Sequence, residues 1–528
     1  MSGERVKFLL GNIVLLSLLF QGSIFVANDV PDWDEAVYFD VSRNLAHTGM
    51  PIRSYDEGVI FFQHPPLSFA FFAVPFLLGF ERLAGIRFVS TIFSIALIIL
   101  VFVIGRRVQG ECVGLIAAFL TAINPLFLAY AHSVYMETIL SFFIILSVLL
   151  FLSAMDKERG LFYFLSGVSL GLGLLTKYLA IITLVPCILF LFFKYDRKLL
   201  RQTEIYLLII PALGLFSLWP FLGLCWEWDE FWANLQRWIF FSRGNLHDYR
   251  VGMSLTTYLK WIMGSISPPF ILLFCLSFVV IVYSEYRNRR HHFAELFIVA
   301  FASIWFSFLF IVVSIKDIKY VVPIVPIMAL TIAIGIEALL SASFGVSSKW
   351  NRKFGVYASF LIVPVLLWLL WSDVSFASRT PLVGKFYART PFIRRSTPSD
   401  TALWEVGDYI RHISNSDEVI TVNLTGPIIG YLAGRNYCFL VTSQYQEMMR
   451  NLEKTRILVQ DGEWSLPYLS EEQRDYFLAT VASEFELAKT VHCKGEQCPI
   501  RIYIKRAGVR LNHCKEISLD GPTGNTIK

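Results

Sequence analysis

Two adjacent carboxylates, Asp34 and Glu35, stand shortly after the first apolar run of this chain, in the string DVPDWDEAVYFDVSRNL. Trp33, Tyr38 and Phe39 flank the pair, and Asp40 and Arg43 follow at helical spacing, so 34–46 is expected to form a juxtamembrane helix. A carboxylate beside a dry, aromatic surface can act as a proton acceptor with a raised pKa. A further acid, Glu137 in AHSVYMETILSFF, opens an apolar run, where an ionisable side chain is costly and points to function. The plainer reading of Glu137 is a helix N-terminal carboxylate complementing the dipole, and that of Asp34 and Glu35 is a solvated loop. Cations form the third group: Lys177 in LLTKYLA, Lys316 and Lys319 in SIKDIKY, and Arg237, Arg243 and Arg250 beside Trp226, Trp228, Trp232 and Trp238. Each cation could instead snorkel to lipid headgroups, and the tryptophans could form an interfacial belt.

Carboxylates and cations gathered at a lipid boundary suit a lipid-linked phosphate substrate. The cations would neutralise the phosphate while a carboxylate activates the attacking group. A phosphate leaving group is already a weak base, so one carboxylate base and a cationic clamp suffice. Glycoside hydrolases differ, because their alkoxide leaving group calls for a second carboxyl as acid.

The elements that must position these residues are membrane helices. Of 528 residues, 55% are hydrophobic and only 16% charged, against about 25% charged in soluble chains. Mean hydropathy is +0.57. The apolar residues come in runs of bilayer-spanning length, drawn roughly at 8–27, 86–105, 112–131, 138–154, 161–176, 179–194, 205–225, 266–283, 294–314, 320–341 and 355–372, about eleven spans. Lys and Arg cluster in alternate connections, as at Arg106–Arg107, Lys157–Arg159, Lys194–Arg201, Arg287–Arg290 and Lys349–Lys353. The positive-inside rule makes those connections cytoplasmic. The stretch 65–80, PPLSFAFFAVPFLLGF, must then stay at the outer interface, since crossing there would reverse every later loop. With that choice Asp34, His64, Glu137 and Lys177 all face the outer side.

From about residue 373 the composition becomes that of a globular domain. TALWEVGDYIRHI, QYQEMMRNLEK and EEQRDYFLATVASE have helical period, while EVITVNL, YCFLV, TRILVQD and IRIYIKR read as strands. The expected organisation is a transmembrane domain over 1–372 and an extracytoplasmic α/β domain over 373–528. Cys438, Cys493, Cys498 and Cys514 in that domain allow three disulfide pairings, and their spacing suits a zinc site poorly. The net charge of +5 is small for this length and argues against a nucleic-acid binder, which would carry a basic stripe. Glycines in GLGLLTK fit close helix packing rather than a phosphate loop. A transporter or flippase of lipid-linked sugars is the alternative class. It would place its charges nearer the bilayer midplane, between repeated helices, and no repeat is visible here.

The ordered set WDEAVYFDVSRNL, HPPL, RFVSTIFSIALIILVFVIGRRVQG, INPLFLAYAHSVYMETILSFF, LGLLTK and IKDIKYVVPIVPIMAL resembles the dolichyl-phosphate-mannose protein mannosyltransferase and aminoarabinose-transferase-like branch of the GT-C glycosyltransferases, over about residues 8–341. The resemblance implies an inverting transferase in the cytoplasmic (inner) membrane. It would move a hexosyl or pentosyl unit from a polyprenyl-phosphate donor to an extracytoplasmic acceptor such as protein, lipid A, another glycan or a lipid. It gives Asp34 the role of base, with Glu35 beside it. In the mechanism expected from the residues Glu137 would assist, and His64, Lys177, Arg243, Lys319 and Tyr320 would bind the donor phosphate. The chain departs from the family pattern at three points. His64 replaces a Lys before Pro-Pro-Leu, Tyr135-Met136-Glu137 stands for Arg-Thr-Asp, and Ile318-Lys319-Tyr320 stands for Pro-Arg-Tyr. No cofactor is required by this mechanism, although Asp34 and Glu137 could share a divalent metal.

Overall fold

The computed structural model describes residues 3–25, 30–53, 60–239, 254–288, 293–313, 316–344, 368, 400–423, 425–440, 445–461, 469–492 and 499–506. The chain divides into two compact units, one of Met1–Arg53 with Val59–Phe386 and one of Ser54–Gly58 with Tyr387–Lys528.

The first unit is helical and begins with α1 (Gly3–Phe25), α2 (Trp33–Thr48), α3 (Leu67–Leu77), α4 (Leu83–Gln109), α5 (Glu111–Ile123), α6 (Pro125–Ala131), α7 (Met136–Lys157) and α8 (Gly160–Thr176). It continues with α9 (Leu184–Tyr195), α10 (Thr203–Phe216), α11 (Leu218–Trp226), α12 (Trp228–Ile239), α13 (Leu255–Ile266), α14 (Pro268–Asn288), α15 (Phe293–Ser307) and α16 (Val325–Phe344). Among the described residues seven helical stretches are long and apolar enough to cross a bilayer: Leu83–Gln109, Met136–Lys157, Tyr178–Arg201, Thr203–Trp226, Pro268–Tyr286, Phe293–Val312 and Ile318–Leu340. They coincide with seven of the expected spans, and this is a multi-pass membrane protein. The expected span 112–131 is the pair α5 and α6, bent by 68°. Pro125 has no N–H to continue the helix, and the Asn124 side chain restarts it by accepting from Phe127 N at 3.1 Å. The expected spans at 8–27 and 161–176 correspond to α1, of 23 residues, and α8, of 17. The last, 355–372, lies outside the described residues apart from Trp368.

The 11-residue α3 rises only about 16 Å, half the hydrocarbon thickness, which agrees with the expectation that 65–80 does not cross. Arg87 and Arg106 are about 29 Å apart along α4, and Glu137 and Lys157 about 30 Å apart along α7, at 1.5 Å per residue. The acidic end and the basic end of these spans are therefore separated by a bilayer thickness. Close packing of α8 on α10 follows from its glycines: a Cβ at Gly167 would lie 2.3 Å from Leu208 O, and one at Gly171 would lie 2.8 Å from Leu215 Cβ. Of these seven stretches Ile318–Leu340 is the most enclosed.

In the second unit five strands, β1 (Val419–Val422), β2 (Asn436–Phe439), β3 (Ile457–Asp461), β4 (Phe485–Val491) and β5 (Ile500–Lys505), form one sheet in the order β2-β1-β3-β5-β4. β1 is parallel to β2 and β3, and β5 is antiparallel to β3 and β4. Helices Asp400–Ile413, Tyr445–Lys454 and Glu471–Glu484 match the three helical periods in the sequence, and the last is opened by a Ser470/Gln473 capping box. Met448, Met449, Leu452, Leu458, Phe477 and Val481 form its core on one sheet face. Two elements escaped the sequence reading. Helix Gly426–Ala433 carries two glycines and a proline in eight residues, a composition that reads as turn. β4 follows Glu484 with no punctuating Gly or Pro. Of the four cysteines only Cys438 is described, with its Sγ 3.0 Å from Thr421 Oγ1; Cys493, Cys498 and Cys514 lie outside the described residues.

Candidate active site

The site is built around the first turn of α2. Asp32 is its N-cap, accepting from Glu35 N at 2.9 Å, and the helix it starts brings Asp34 and Glu35 out at different angles. At 100° per residue, neighbours on a helix cannot face the same partner. Glu35 turns into the bundle and is fully buried. Its Oε1 accepts from Arg87 Nε at 2.7 Å and Val134 N at 2.8 Å, and its Oε2 accepts from Arg87 Nη2 at 2.6 Å. Burial alone would raise the Glu35 pKa; the Arg87 guanidinium and the Val134 N–H outweigh it and hold the carboxyl below its ordinary value. Asp34 turns the other way, partly exposed, and its Oδ2 accepts from Lys319 Nζ at 2.8 Å.

Lys319 sits on the short turn Ile318–Ile324 at the head of the most buried span. Asp317 caps that turn, accepting from Lys319 N at 3.1 Å, with its Oδ2 3.5 Å from Lys319 Nζ. Tyr258 on α13 pins the turn from outside by donating to Asp317 O at 3.0 Å. Beside Lys319, Lys177 fills the joint between α8 and the turn Tyr178–Thr183. Its Nζ donates to Glu137 Oε1 at 2.5 Å and lies 5.1 Å above the Tyr320 ring. His64, buried at the start of α3, has Nε2 3.3 Å from Tyr38 Oη. Burial first, then Lys177 and Lys319, push its pKa well below the ordinary value, so the imidazole is neutral at physiological pH. It can offer a hydrogen bond to an anion but no charge.

The structure thus brings together Asp34, His64, Glu137, Lys177, Lys319 and Tyr320, from five separate stretches of chain. Glu35 adjoins them in sequence but faces Arg87. Arg243, with Arg250 and the Arg237 side chain, lies outside the described residues. Lys316, grouped in the sequence with the anion-binding cations, is turned away: its Nζ donates to Leu309 O at 2.7 Å, Phe310 O at 3.0 Å and Val313 O. It caps the carbonyl end of a membrane helix, and this use corrects the expectation of an anion at that position. Trp228 and Trp232 are exposed and stacked, with centroids 5.7 Å apart.

Three residues of the site went unread in the sequence. Arg87 is a charge inside an apolar run, and intramembrane cost alone would have flagged it. Asp317 is the acid of KDIK. Asp32 is the first of three acids in four residues, DWDE. Tyr135 Oη lies 2.8 and 2.7 Å from the Asp32 oxygens and donates to that carboxyl, so the loop before α7 is tied to α2 at Asp32 and, through Val134 N, at Glu35. Although part of Asp32 reaches the surface, desolvation of its carboxyl, with Glu35 and Asp34 adding repulsion, raises its pKa to about 7.

A pH test follows. The folded state binds the Asp32 proton more tightly than the unfolded chain, whose value is near 3.8. This group's contribution to stability is therefore fully present below about pH 4 and is lost as pH rises through about 7. Asp32→Asn keeps the cap and the acceptor for Tyr135 but cannot ionise. The difference in melting temperature, variant minus wild type, should grow more positive from pH 5 to pH 8. A difference that stays constant over that range would show that Asp32 does not titrate there.

Residues 63–221 match the family model described as dolichyl-phosphate-mannose-protein mannosyltransferase. An uncharacterised protein of Aquifex aeolicus (strain VF5) is 24% identical over 338 residues, 62% of this chain and 63% of that protein, so the chain matches less than two thirds of that relative's length. Among solved structures, ArnT from Cupriavidus metallidurans bound to undecaprenyl phosphate is similar, with a TM-score of 0.64 and 14% identity over 97% of this chain and 99% of that one. The archaeal oligosaccharyltransferase AglB from Archaeoglobus fulgidus, in complex with an inhibitory peptide and a dolichol-phosphate, gives a TM-score of 0.56 and 14% identity, covering 86% of this chain and 69% of that one.

Proposed function

We propose that this chain is a GT-C superfamily glycosyltransferase of the protein-mannosyltransferase and ArnT-like type, and that it transfers a sugar with inversion from a polyprenyl-phosphate donor to an acceptor on the extracytoplasmic side. The observation that carries this reading is the convergence of one partly exposed carboxylate, Asp34, with two buried lysines, Lys177 and Lys319, at one end of the spans. The opposite end carries Arg106, Arg107, Lys157 and Lys194, and the positive-inside rule makes that end cytoplasmic.

In the proposed reaction the donor phosphate replaces carboxylates as the partner of the two lysines. Lys319 leaves Asp34 for the phosphate, and the freed Asp34 accepts the proton of the acceptor hydroxyl or amine. The acceptor oxygen or nitrogen bonds to the anomeric carbon as the bond from that carbon to the phosphate oxygen breaks, and polyprenyl phosphate leaves with the electron pair. Neutral His64 donates a hydrogen bond to the phosphate, the Tyr320 ring backs Lys177, and Arg243 adds positive charge. Lysines are at hand to stabilise the leaving phosphate, so the proposed step needs no metal.

Purified protein in proteoliposomes, supplied with radiolabelled polyprenyl-phosphate sugars and membrane extract as acceptor, should move label off the lipid. The product should have the opposite anomeric configuration to the donor, and transfer should persist in EDTA. Failure to release label from any such donor would overturn the enzymatic reading. Loss of transfer in EDTA with recovery on adding a divalent ion would overturn the metal-free step alone.

A further inference from the structure

One buried oxygen in the site is left unused by the described residues. Glu137 is 1% exposed; its Oε1 is taken by Lys177, and its Oε2 is buried with no hydrogen-bond partner among the described residues. A buried acceptor left unpaired costs about 1–3 kcal/mol, and more when charged, so a ligand that supplies a donor there is favoured. The missing partner must be an O–H or N–H group. A phosphodiester has no proton to offer and is repelled by a carboxylate, so the phosphate belongs to Lys177 and Lys319.

Depth separates the two acids. The Asp34 side chain is 23% exposed and that of Glu137 is 1%. An acceptor arriving from solution meets Asp34, and a group already enclosed with the donor meets Glu137. Resting on the lipid-phosphate reading above, we propose that Glu137 Oε2 receives a hydroxyl or ammonium group of the donor's sugar, so that Glu137 reads the sugar while the two lysines read the phosphate.

Binding of bare undecaprenyl phosphate to the full chain in detergent tests this division. A second arm offers lipid-linked sugars extracted from the source cells in competition with the bare lipid and identifies what is retained by mass spectrometry. E137Q still accepts Lys177 through its amide oxygen and should bind the bare lipid as tightly as wild type or more so, yet lose the preference for sugar-bearing lipid. K177M should bind the bare lipid about tenfold or more weakly, the loss of a hydrogen bond to a charged group. The double variant E137Q/K177M, which leaves no lone buried charge, should match K177M. If E137Q weakens bare-lipid binding as much as K177M, Glu137 merely holds Lys177 and the proposal falls. It falls equally if E137Q keeps the wild-type preference for sugar-bearing lipid, which would move Glu137 to the acceptor side. Wild-type protein that binds no undecaprenyl phosphate would instead overturn the lipid-phosphate reading on which the proposal stands.

Discussion

Asp34→Asn should lower sugar transfer by about 10²–10⁴-fold, the usual contribution of a positioned general base, while the protein still folds and inserts. The substitution is nearly isosteric, and the amide oxygen can still accept from Lys319 Nζ, which also keeps Asp317 3.5 Å away. The site therefore loses the ability to take a proton and little else. The loss should fall on kcat, because the proposed reaction gives lipid-phosphate binding to Lys177 and Lys319, and undecaprenyl phosphate should bind the variant at least as well as wild type. An Asp34→Asn protein that transfers sugar at more than a tenth of the wild-type rate in the proteoliposome assay would remove Asp34 from the base role. Asp32 would then be the next carboxylate to test.

The largest effect on stability is expected from Arg87→Met. Glu35 is fully buried, and Arg87 occupies both its oxygens at 2.7 and 2.6 Å. Removing the guanidinium leaves an uncompensated buried charge, which costs about 3–5 kcal/mol. The yield of folded protein should drop, and its melting temperature in detergent with it. The double variant Arg87→Met, Glu35→Gln removes the charge with its partner and should recover much of the loss, since the amide can still accept from Val134 N. A double variant no more stable than Arg87→Met alone would show that the pair is not what holds α2 to α4. Because Glu35 is adjacent to Asp34, the rescued protein should also report how much of the base's activity depends on the clamp.

The division between Asp34 and Glu35 shows where sequence reading stops. In the string WDE both look equally catalytic. Only the helix that Asp32 caps sends one toward Lys319 and the other toward Arg87, 52 positions further along the chain. The same limit applies to Lys316 and Lys319, three residues apart in SIKDIKY. One caps helix carbonyls and the other meets Asp34, and no local pattern separates them. His64 is a converse case: its departure from a lysine was visible in the sequence, but its neutrality follows from burial and from two lysines brought in from 113 and 255 positions away.

What the sequence determined by itself was set by local and averaged physics. Apolar runs of bilayer length dictate helices, because backbone groups in hydrocarbon must be satisfied within the segment. Alternating basic connections give an expectation of which ends face the cytoplasm, and the period of the tail gives most of its strands and helices. Charges that violate these averages mark the site, as Asp34, Glu137, Lys177 and Lys319 did. What the tertiary structure alone decided is pairing. An ion pair at 2.8 Å depends on the angle at which each side chain leaves its helix and on how the spans pack. Those quantities depend on contacts between residues far apart in the chain, such as Arg87 and Val134 on Glu35 beside Asp34.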